Sequence, residues 1–367
     1  MTSVERICSH FENPKGKVAI GIDGCVDEVW NLVSYRKNTA HVEFFEKLED
    51  FVSVLSNAGA GGVGVEAIRK RRSYGGFTAN TGRAVGRLGV DLTLIAMFGK
   101  CDIDPVFRVF QDECEIISIG NPYITQIYEF LDGKMMFSSS EEAMSPDWNH
   151  LTASISNEIL AAVYGDADIV GLGYWSNMIA FNDIVMKICD NFIKPDGEAA
   201  RMFFDFADIR KREKSALEET LQILGGLNKK VPMTLSLNEH EGAMLFSLYG
   251  KEFAWQEPSK DAEKDIELVR NKIGLDELIV HTPFFAIGSS ACGETAAVLQ
   301  HHCKNPVITT GAGDNFNGGY IAACVSSEKL NLQERLLVGN ATTRFYVRSG
   351  YTPNADDIKK EIKGELL

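Results

Sequence analysis

The stretch VITTGAGDNFNGGYIAAC, Val307 to Cys324, sets an aspartate, Asp314, directly after Gly311-Ala312-Gly313 and ahead of a run that reads as a helix. Glycines before a helix let the backbone turn sharply, so that its amides converge on one spot. The helix N-terminus adds a partial positive charge. Together they make a site for phosphate, or for the charge that develops on a phosphoryl group in transfer. The small residues after Asp314 let that helix pack close to a sheet. A carboxylate at the mouth of such a site can take the proton of an attacking hydroxyl. It can equally be an N-cap, a common role for Asp, and the residues alone leave both readings open. No Lys-Ser/Thr follows the glycines, so the turn is not a Walker A loop.

Outward from this turn, the chain alternates strand and helix patterns. KVAIGI (Lys17 to Ile22) reads as a buried strand, and TANTGRAVGRLG (Thr78 to Gly89) as a helix feeding the strand DLTLIAMFG. HVEFFEKLEDFVSVLSNAG (His41 to Gly59) has apolar residues at helical spacing and ends in a glycine C-cap. Further on, ISNEILAAVYGDADIVGLG, FNDIVMKICDNF, ARMFFDFA, KSALEETLQILGGL, VPMTLSLN and ELIVHTPFFAIG continue the rhythm. Such alternation implies a parallel sheet covered by helices on both faces. ITQIYEFLDGKMMFSSS (Ile124 to Ser140) breaks it: it alternates and turns at Asp132-Gly133, a hairpin that belongs apart from the main sheet.

The 367 residues suffice for one large α/β domain or two ordinary ones, and no repeat or low-complexity linker divides them. A net charge of −14 argues against nucleic acid as the main partner. Eight scattered cysteines without a C-x-x-C pair point to reduced thiols in a cytoplasmic protein. The polar N-terminus lacks the apolar region of a signal peptide, and no apolar run approaches the ~20 residues that span a bilayer.

TTGAGDNFNGG resembles the C-terminal signature of the ribokinase-like (PfkB) carbohydrate kinases, D-T-x-G-A-G-D-x-F-x-G. It matches at Thr309, Gly311, Ala312, Gly313, Asp314, Phe316 and either Gly319 or Gly318. Ile308 stands where the family has its first Asp, which puts potassium dependence in doubt but not the catalytic aspartate. GIDGCVDEV resembles the segment whose Asp binds sugar hydroxyls, with Asp27 the better match and Asp23 its rival. GGFTANTGRAVGRLG resembles the N-terminal signature, whose Gly75, Gly76 and Asn80 would contact substrate. Phe77 replaces the Lys usual in ribokinase itself, which weakens ribose. FFDFADIRKR keeps Asp205 and Arg210 of the D-P-N-x-R segment. Asn238 and Glu241 of SLNEHEGAML match N-x-x-E, which in the family organises water around magnesium and phosphate. Thr282 fits the nucleotide loop, and Asn340 of the C-terminal helix is the counterpart of an adenine contact.

The resemblance covers about Val18 to Ile358 and implies a ribokinase-like three-layer α/β/α sandwich with a mostly parallel central sheet. The expectation is one kinase domain over 1–367, its small β lid drawn from parts of 31–41 and 121–140. It implies transfer of the γ-phosphoryl group of ATP, with Mg²⁺, to a sugar hydroxyl. Asp314 would be the base, and Gly311, Ala312 and Gly313 the anion hole. Asp27, Gly76 and Asn80 would orient the sugar. Asn238 and Glu241 would place Mg²⁺, Glu241 through water. The lid permits a homodimer. The alternatives are a nucleoside kinase of the same fold, marked by an aromatic-lined pocket, and a non-catalytic sugar- or nucleotide-binding protein.

Three other signals carry less. GAGGVG (Gly59 to Gly64) is a literal G-x-G-x-x-G, but a helix-like stretch rather than a strand precedes it, so it reads as a loop. His301-His302-Cys303 has no second ligand pair and reads as a polar loop. RKRR (Arg69 to Arg72) reads as a solvated loop that could meet an anionic substrate group.

Overall fold

The computed structural model describes residues 1–139, 141, 146–193, 201–253, 256–325 and 329–364. Ser140 and Ala200, which belong to segments expected from the sequence, lie outside them.

In chain order the strands are β1 (Lys17–Ile22), β2 (Cys25–Arg36), β3 (Val42–Phe44), β4 (Ala67–Gly75), β5 (Asp91–Ala96), β6 (Glu115–Ser118), β7 (Tyr123–Phe130) and β8 (Gly133–Ser138). They continue with β9 (Ile169–Gly173), β10 (Arg201–Asp205), β11 (Met233–Asn238), β12 (Glu277–His281), β13 (Phe285–Ser290) and β14 (Thr295–Leu299). The helices are α1 (Ser3–His10), α2 (Leu48–Ser56), α3 (Phe77–Arg87), α4 (Trp148–Ser154), α5 (Asn157–Gly165) and α6 (Phe181–Asn191). After them come α7 (Lys214–Leu227), α8 (Glu239–Leu248), α9 (Lys260–Ile273), α10 (Ala312–Cys324), α11 (Leu332–Ser349) and α12 (Ala355–Lys363).

Among the described residues, nine strands form the central sheet, in the order β14-β13-β12-β11-β10-β9-β1-β5-β6. From β6 to β12 every pairing is parallel; β13 and β14 return antiparallel at one edge. Alternate residues of these strands feed two separate cores. Met202, Phe204, Leu278 and Val280 pack with Leu160, Ile184, Leu221 and Ile266 of α5, α6, α7 and α9. Phe203 and Ile279 face the other way, toward Ile7, Val85, Phe316, Leu336 and Ile358 of α1, α3, α10, α11 and α12. Strands buried on both faces read as continuous apolar runs, which is why KVAIGI and ELIVH were legible as strands.

The α10 helix lies close against two neighbours because it carries adjacent glycines. A Cβ on Gly318 would overlap Ala84 of α3, and one on Gly319 would overlap Thr342 of α11. Both candidates for the last glycine of the signature are therefore used in packing.

A second sheet stands apart, in the order β3-β2-β7-β8 with β4 also paired to β2. The expected hairpin is β7–β8. Its two-residue turn is Leu131-Asp132, since Phe130 pairs with Gly133, one residue earlier than expected. Segments 31–41 and 121–140 hold parts of β2, β7 and β8, but the sheet is larger and also takes in β3 and β4.

Two readings of the 31–74 segment need correction. His41 to Gly59 is not one helix: Val42–Phe44 pairs with the edge of β2, so strand pairing overrides helical spacing there. The helix begins only at Leu48, whose amide donates to Asp132 of the β7–β8 turn at 2.6 Å, and it ends at Asn57 rather than at a glycine. RKRR is not a loop either but lies on β4, antiparallel to β2. Its arginines are spent on acidic partners: Arg69 on Glu28 at 2.9 Å, Arg72 on both oxygens of Asp104 at 2.7 and 2.8 Å, and Arg71 on Glu129 at 3.5 Å. Among the described residues, no helix is long and apolar enough to cross a membrane.

Candidate active site

Parallel strands present their C-terminal ends on one side of a sheet, and ligands bind where the strand order reverses. Here β1 has β9 on one side and β5 on the other. Asp23 and Tyr174 follow the last residues of β1 and β9, while Asp205, Asn238 and His281 are the last residues of β10, β11 and β12. All but Asp23 line a cavity of about 660 Å³. The second sheet contributes Cys25, Asp27, Tyr123, Thr125, Met136 and Ser138 to the same cavity.

The Gly311 turn forms one wall. Gly311 is the N-cap of α10 with φ of 82°, a left-handed conformation that favours glycine. Asp314 is the third residue of that helix, not its cap, so the capping alternative is excluded. Its carboxylate instead meets two side chains from other elements. Tyr174 donates its hydroxyl to Oδ1 at 2.8 Å, and Asn80 of α3 donates Nδ2 to Oδ2 at 3.0 Å. Burial, then the charge of nearby Asp205, hold this carboxyl well above the usual carboxylate range, while the Tyr174 and Asn80 hydrogen bonds pull it back. Of the three amides expected to face a phosphoryl group, that of Ala312 is turned back onto the Thr309 carbonyl at 3.2 Å.

The two rival aspartates separate cleanly. Asp23 accepts from the Phe77 and Thr78 amides at 2.9 and 2.8 Å and from the Thr78 hydroxyl at 2.5 Å. It caps α3 from a distance, because Gly76 at the N-cap has no side chain to do so. Gly76 sits at φ of 87°, and a Cβ there would overlap Asp23. Asp27 faces the cavity amid uncharged groups: Cys25 Sγ lies 3.5 Å from its Oδ1 and 3.4 Å from the Thr125 hydroxyl, which lies 2.8 Å from that of Ser138. Burial raises the Asp27 carboxyl to about 6, with Lys134 and Arg71 opposing from outside the cavity lining. Gly75 does not line the cavity either. It lies behind Asp27, and a Cβ on it would come 2.6 Å from Oδ2.

At the other end, Asn238 and Glu241 form a reciprocal capping box on α8. Asn238 Oδ1 accepts the Glu241 amide at 3.0 Å, and Glu241 Oε2 accepts the Asn238 amide at 3.0 Å. Burial, then Asp205, raise the Glu241 carboxyl well above its ordinary value. Two mutually repelling carboxylates, Asp205 and Glu241, on one cavity wall suit a divalent cation. Among the described residues no group of three or more His, Cys, Asp or Glu could hold a metal, so the fit is to an ion bound largely through water.

Thr282 lines the cavity, but its hydroxyl accepts the amides of Phe284 and Phe285 at 3.0 Å each and so shapes the β12–β13 turn. Asn340 lies behind the cavity wall. It does not line the cavity; it is buried and donates Nδ2 to the Val298 carbonyl at 3.1 Å, tying α11 to β14. The α11 residues that face the cavity are Thr343, Arg344 and Val347. Arg210 likewise turns outward onto Asp208, and its neighbour Lys211 lines the cavity instead.

Sequence reading missed Tyr174, His281 and the loop Gln300 to Cys303 as cavity residues. His281 stacks on Phe316 with ring centroids 4.6 Å apart, and burial lowers it to about 4, so it is neutral. His302 stacks on Phe284 at 4.9 Å. The position of Tyr174 and His281 at the C-terminal ends of parallel strands was the available signal. The loop residues carried none.

Solved structures share this fold. Arabidopsis thaliana ribokinase complexed with ribose and ATP superposes with a TM-score of 0.64 at 14% identity, over 96% of this chain and 99% of that one. A putative ribokinase II from E. coli in complex with ATP and Mg²⁺ gives 0.62 at 18% identity, over 95% and 99%. The nucleoside kinase of Methanocaldococcus jannaschii, a ribokinase-family member, gives 0.60 at 16% identity, over 96% and 99%. The protein is an ATP-dependent carbohydrate kinase of the ribokinase fold, a phosphotransferase with an alcohol group as acceptor. Residues 2–364 match the family model of prokaryotic ketohexokinase, and the chain belongs to that family. A ketohexokinase from Haloferax volcanii is 28% identical over 362 residues, covering 96% of this chain and 92% of that protein.

Proposed function

We propose that the protein transfers the γ-phosphoryl group of ATP to a hydroxyl of an unphosphorylated ketohexose, with Asp314 as general base. The observation that carries this reading is the place of Asp314. It lies on α10 in contact with Asn80 and near Asp205, whose charge also acts on Glu241, and it shares one cavity with Asp27 and Glu241. An acceptor held by Asp27 and Asn80 would present its hydroxyl to this carboxylate. The raised Asp314 carboxyl makes it a stronger base than an ordinary aspartate.

In this reading Asp27, Gly76 and Asn80 orient the sugar, and Gly75 supports Asp27 from behind. The amides of Gly311 and Gly313 and the N-terminus of α10 stabilise the transferring group, while Ala312 keeps the turn closed. Asn238 and Glu241 would hold Mg²⁺ through water, and Thr282 shapes the loop beside the nucleotide. Bound Mg²⁺ neutralises charge on the phosphates. The second sheet acts as a lid that excludes water, the competing acceptor. The whole chain works as one kinase domain with that lid. It operates in the cytoplasm, and the lid, which exposes Phe137 and Tyr35, serves a homodimer.

The hydrogen-bonding side chains of Cys25, Thr125 and Ser138 around Asp27 suit sugar hydroxyls, and the match to the prokaryotic ketohexokinase family supports a ketohexose. A panel of ketohexoses, aldohexoses, pentoses, nucleosides and a ketohexose phosphate, assayed with ATP and Mg²⁺, tests the substrate. The highest kcat/KM is expected on an unphosphorylated ketohexose. Preference for the phosphorylated sugar or a nucleoside would overturn the reading.

A further inference from the structure

Among the described residues, no lysine or arginine forms an ion pair with the Asp314 carboxylate, which accepts from Tyr174 and Asn80. Asp205 and Asp23 repel its charge, Tyr346 and neutral His281 stand nearby, and Tyr174 and Asn80 are the groups that favour the ionised form. A base must be ionised to accept a proton, and beyond the partial positive charge of the α10 N-terminus this carboxylate has two neutral side-chain donors from two other elements. One is the Asn80 side chain, on the sugar side of the cavity. The other, Tyr174, follows β9 and packs its ring edge-on against Phe77 at 6.0 Å and 62°. Phe77 in turn opens α3, whose first amides are gripped by Asp23. The phenol oxygen is thus carried by a rigid corner and aimed at one carboxylate oxygen.

We propose that Tyr174 is a positioning residue for the transfer: its hydroxyl fixes the orientation of the Asp314 carboxylate and sustains its ionised form while the acceptor hydroxyl approaches. This rests on Asp314 being the base. Tyr174 itself does not exchange the proton. Burial, then the Asp314 charge, push its phenol well above 10, so it stays a donor through any ordinary assay range. A hydrogen bond donated to the charged form lowers a pKa, and its removal raises it. Losing the Tyr174 hydroxyl therefore moves the acid limb of the rate profile to higher pH.

The test is the pH profile of kcat/KM for the sugar in the wild type, Tyr174→Phe and Asp314→Asn. Phe keeps the ring that packs on Phe77. The expected result is a Tyr174→Phe acid limb displaced upward by on the order of one pH unit, with activity depressed near neutrality and partly recovered at higher pH. A role confined to packing would lower activity or thermal stability without moving the limb. An unmoved limb, in an enzyme that Asp314→Asn inactivates, would overturn the positioning role alone. Substantial activity in Asp314→Asn would overturn the base reading and this inference with it. Should Tyr174→Phe fail to fold, a fluorotyrosine placed at position 174 is the better donor and should shift the limb downward; no shift would again contradict the proposal.

Discussion

Asn317 donates its Nδ2 to Oδ2 of Asp205 at 2.7 Å, deep in the protein, while its Oδ1 accepts the Ser236 hydroxyl at 2.7 Å. One side chain of α10 thus ties the helix that carries Asp314 to the ends of β10 and β11. Replacing Asn317 by Ala leaves a buried carboxylate short of a donor, which costs about 1–3 kcal/mol. Denaturant unfolding should show that loss, and kcat should fall because Asp205 and α10 lose their common anchor.

Gly319 faces Thr342 with no room for a methyl group. Overpacking of this kind costs about 1–3 kcal/mol. Gly319→Ala should therefore lower the unfolding free energy by that amount, and with it the unfolding midpoint, even though alanine favours helix. An unchanged midpoint would show that α10 and α11 separate more easily than their packing suggests.

Asp27 is expected to set stability against activity. Its folded carboxyl stands at about 6 against an ordinary 3.8. Between these values the folded protein binds more protons than the unfolded chain, so stability falls as pH rises through that window. The penalty is complete above about pH 6. Asp27→Asn removes it, and the variant should be more stable than wild type above pH 6, with the advantage vanishing below about pH 4. Its sugar KM should rise at the same time. Melting curves at pH 4 and pH 7.5, with initial rates, check both signs.

Asn340 sits behind the cavity wall. Asn340→Ala should cost about 0.5–1.5 kcal/mol through the hydrogen bond to the Val298 carbonyl that it removes, with the KM for ATP unchanged. A selective rise in that KM would restore Asn340 as a nucleotide contact.

The sequence showed the central sheet well because its strands are buried on both faces and read as apolar runs. The Gly311 turn was equally plain, since its glycines and Asp314 are contiguous. What stayed hidden depends on contacts distant in sequence. Asp132 starts α2 from 83 or 84 residues away, and the edge of β2 captures Val42–Phe44 as a strand. Tyr174 meets Asp314 from 140 residues away. The motif match favoured Asp27 over Asp23 but gave no physical reason for the choice. Only the α3 amides claiming Asp23 leave Asp27 for the cavity.

The most direct measurement is kcat of purified Asp314→Asn beside wild type, with ATP, Mg²⁺ and a ketohexose at saturation. Asparagine keeps the shape and can still meet Tyr174 and Asn80, but it cannot take a proton. A fall of about 10²-fold or more, in a variant that folds and binds the sugar like wild type, is the expected result. A variant within a few-fold of wild type would contradict Asp314 as the base.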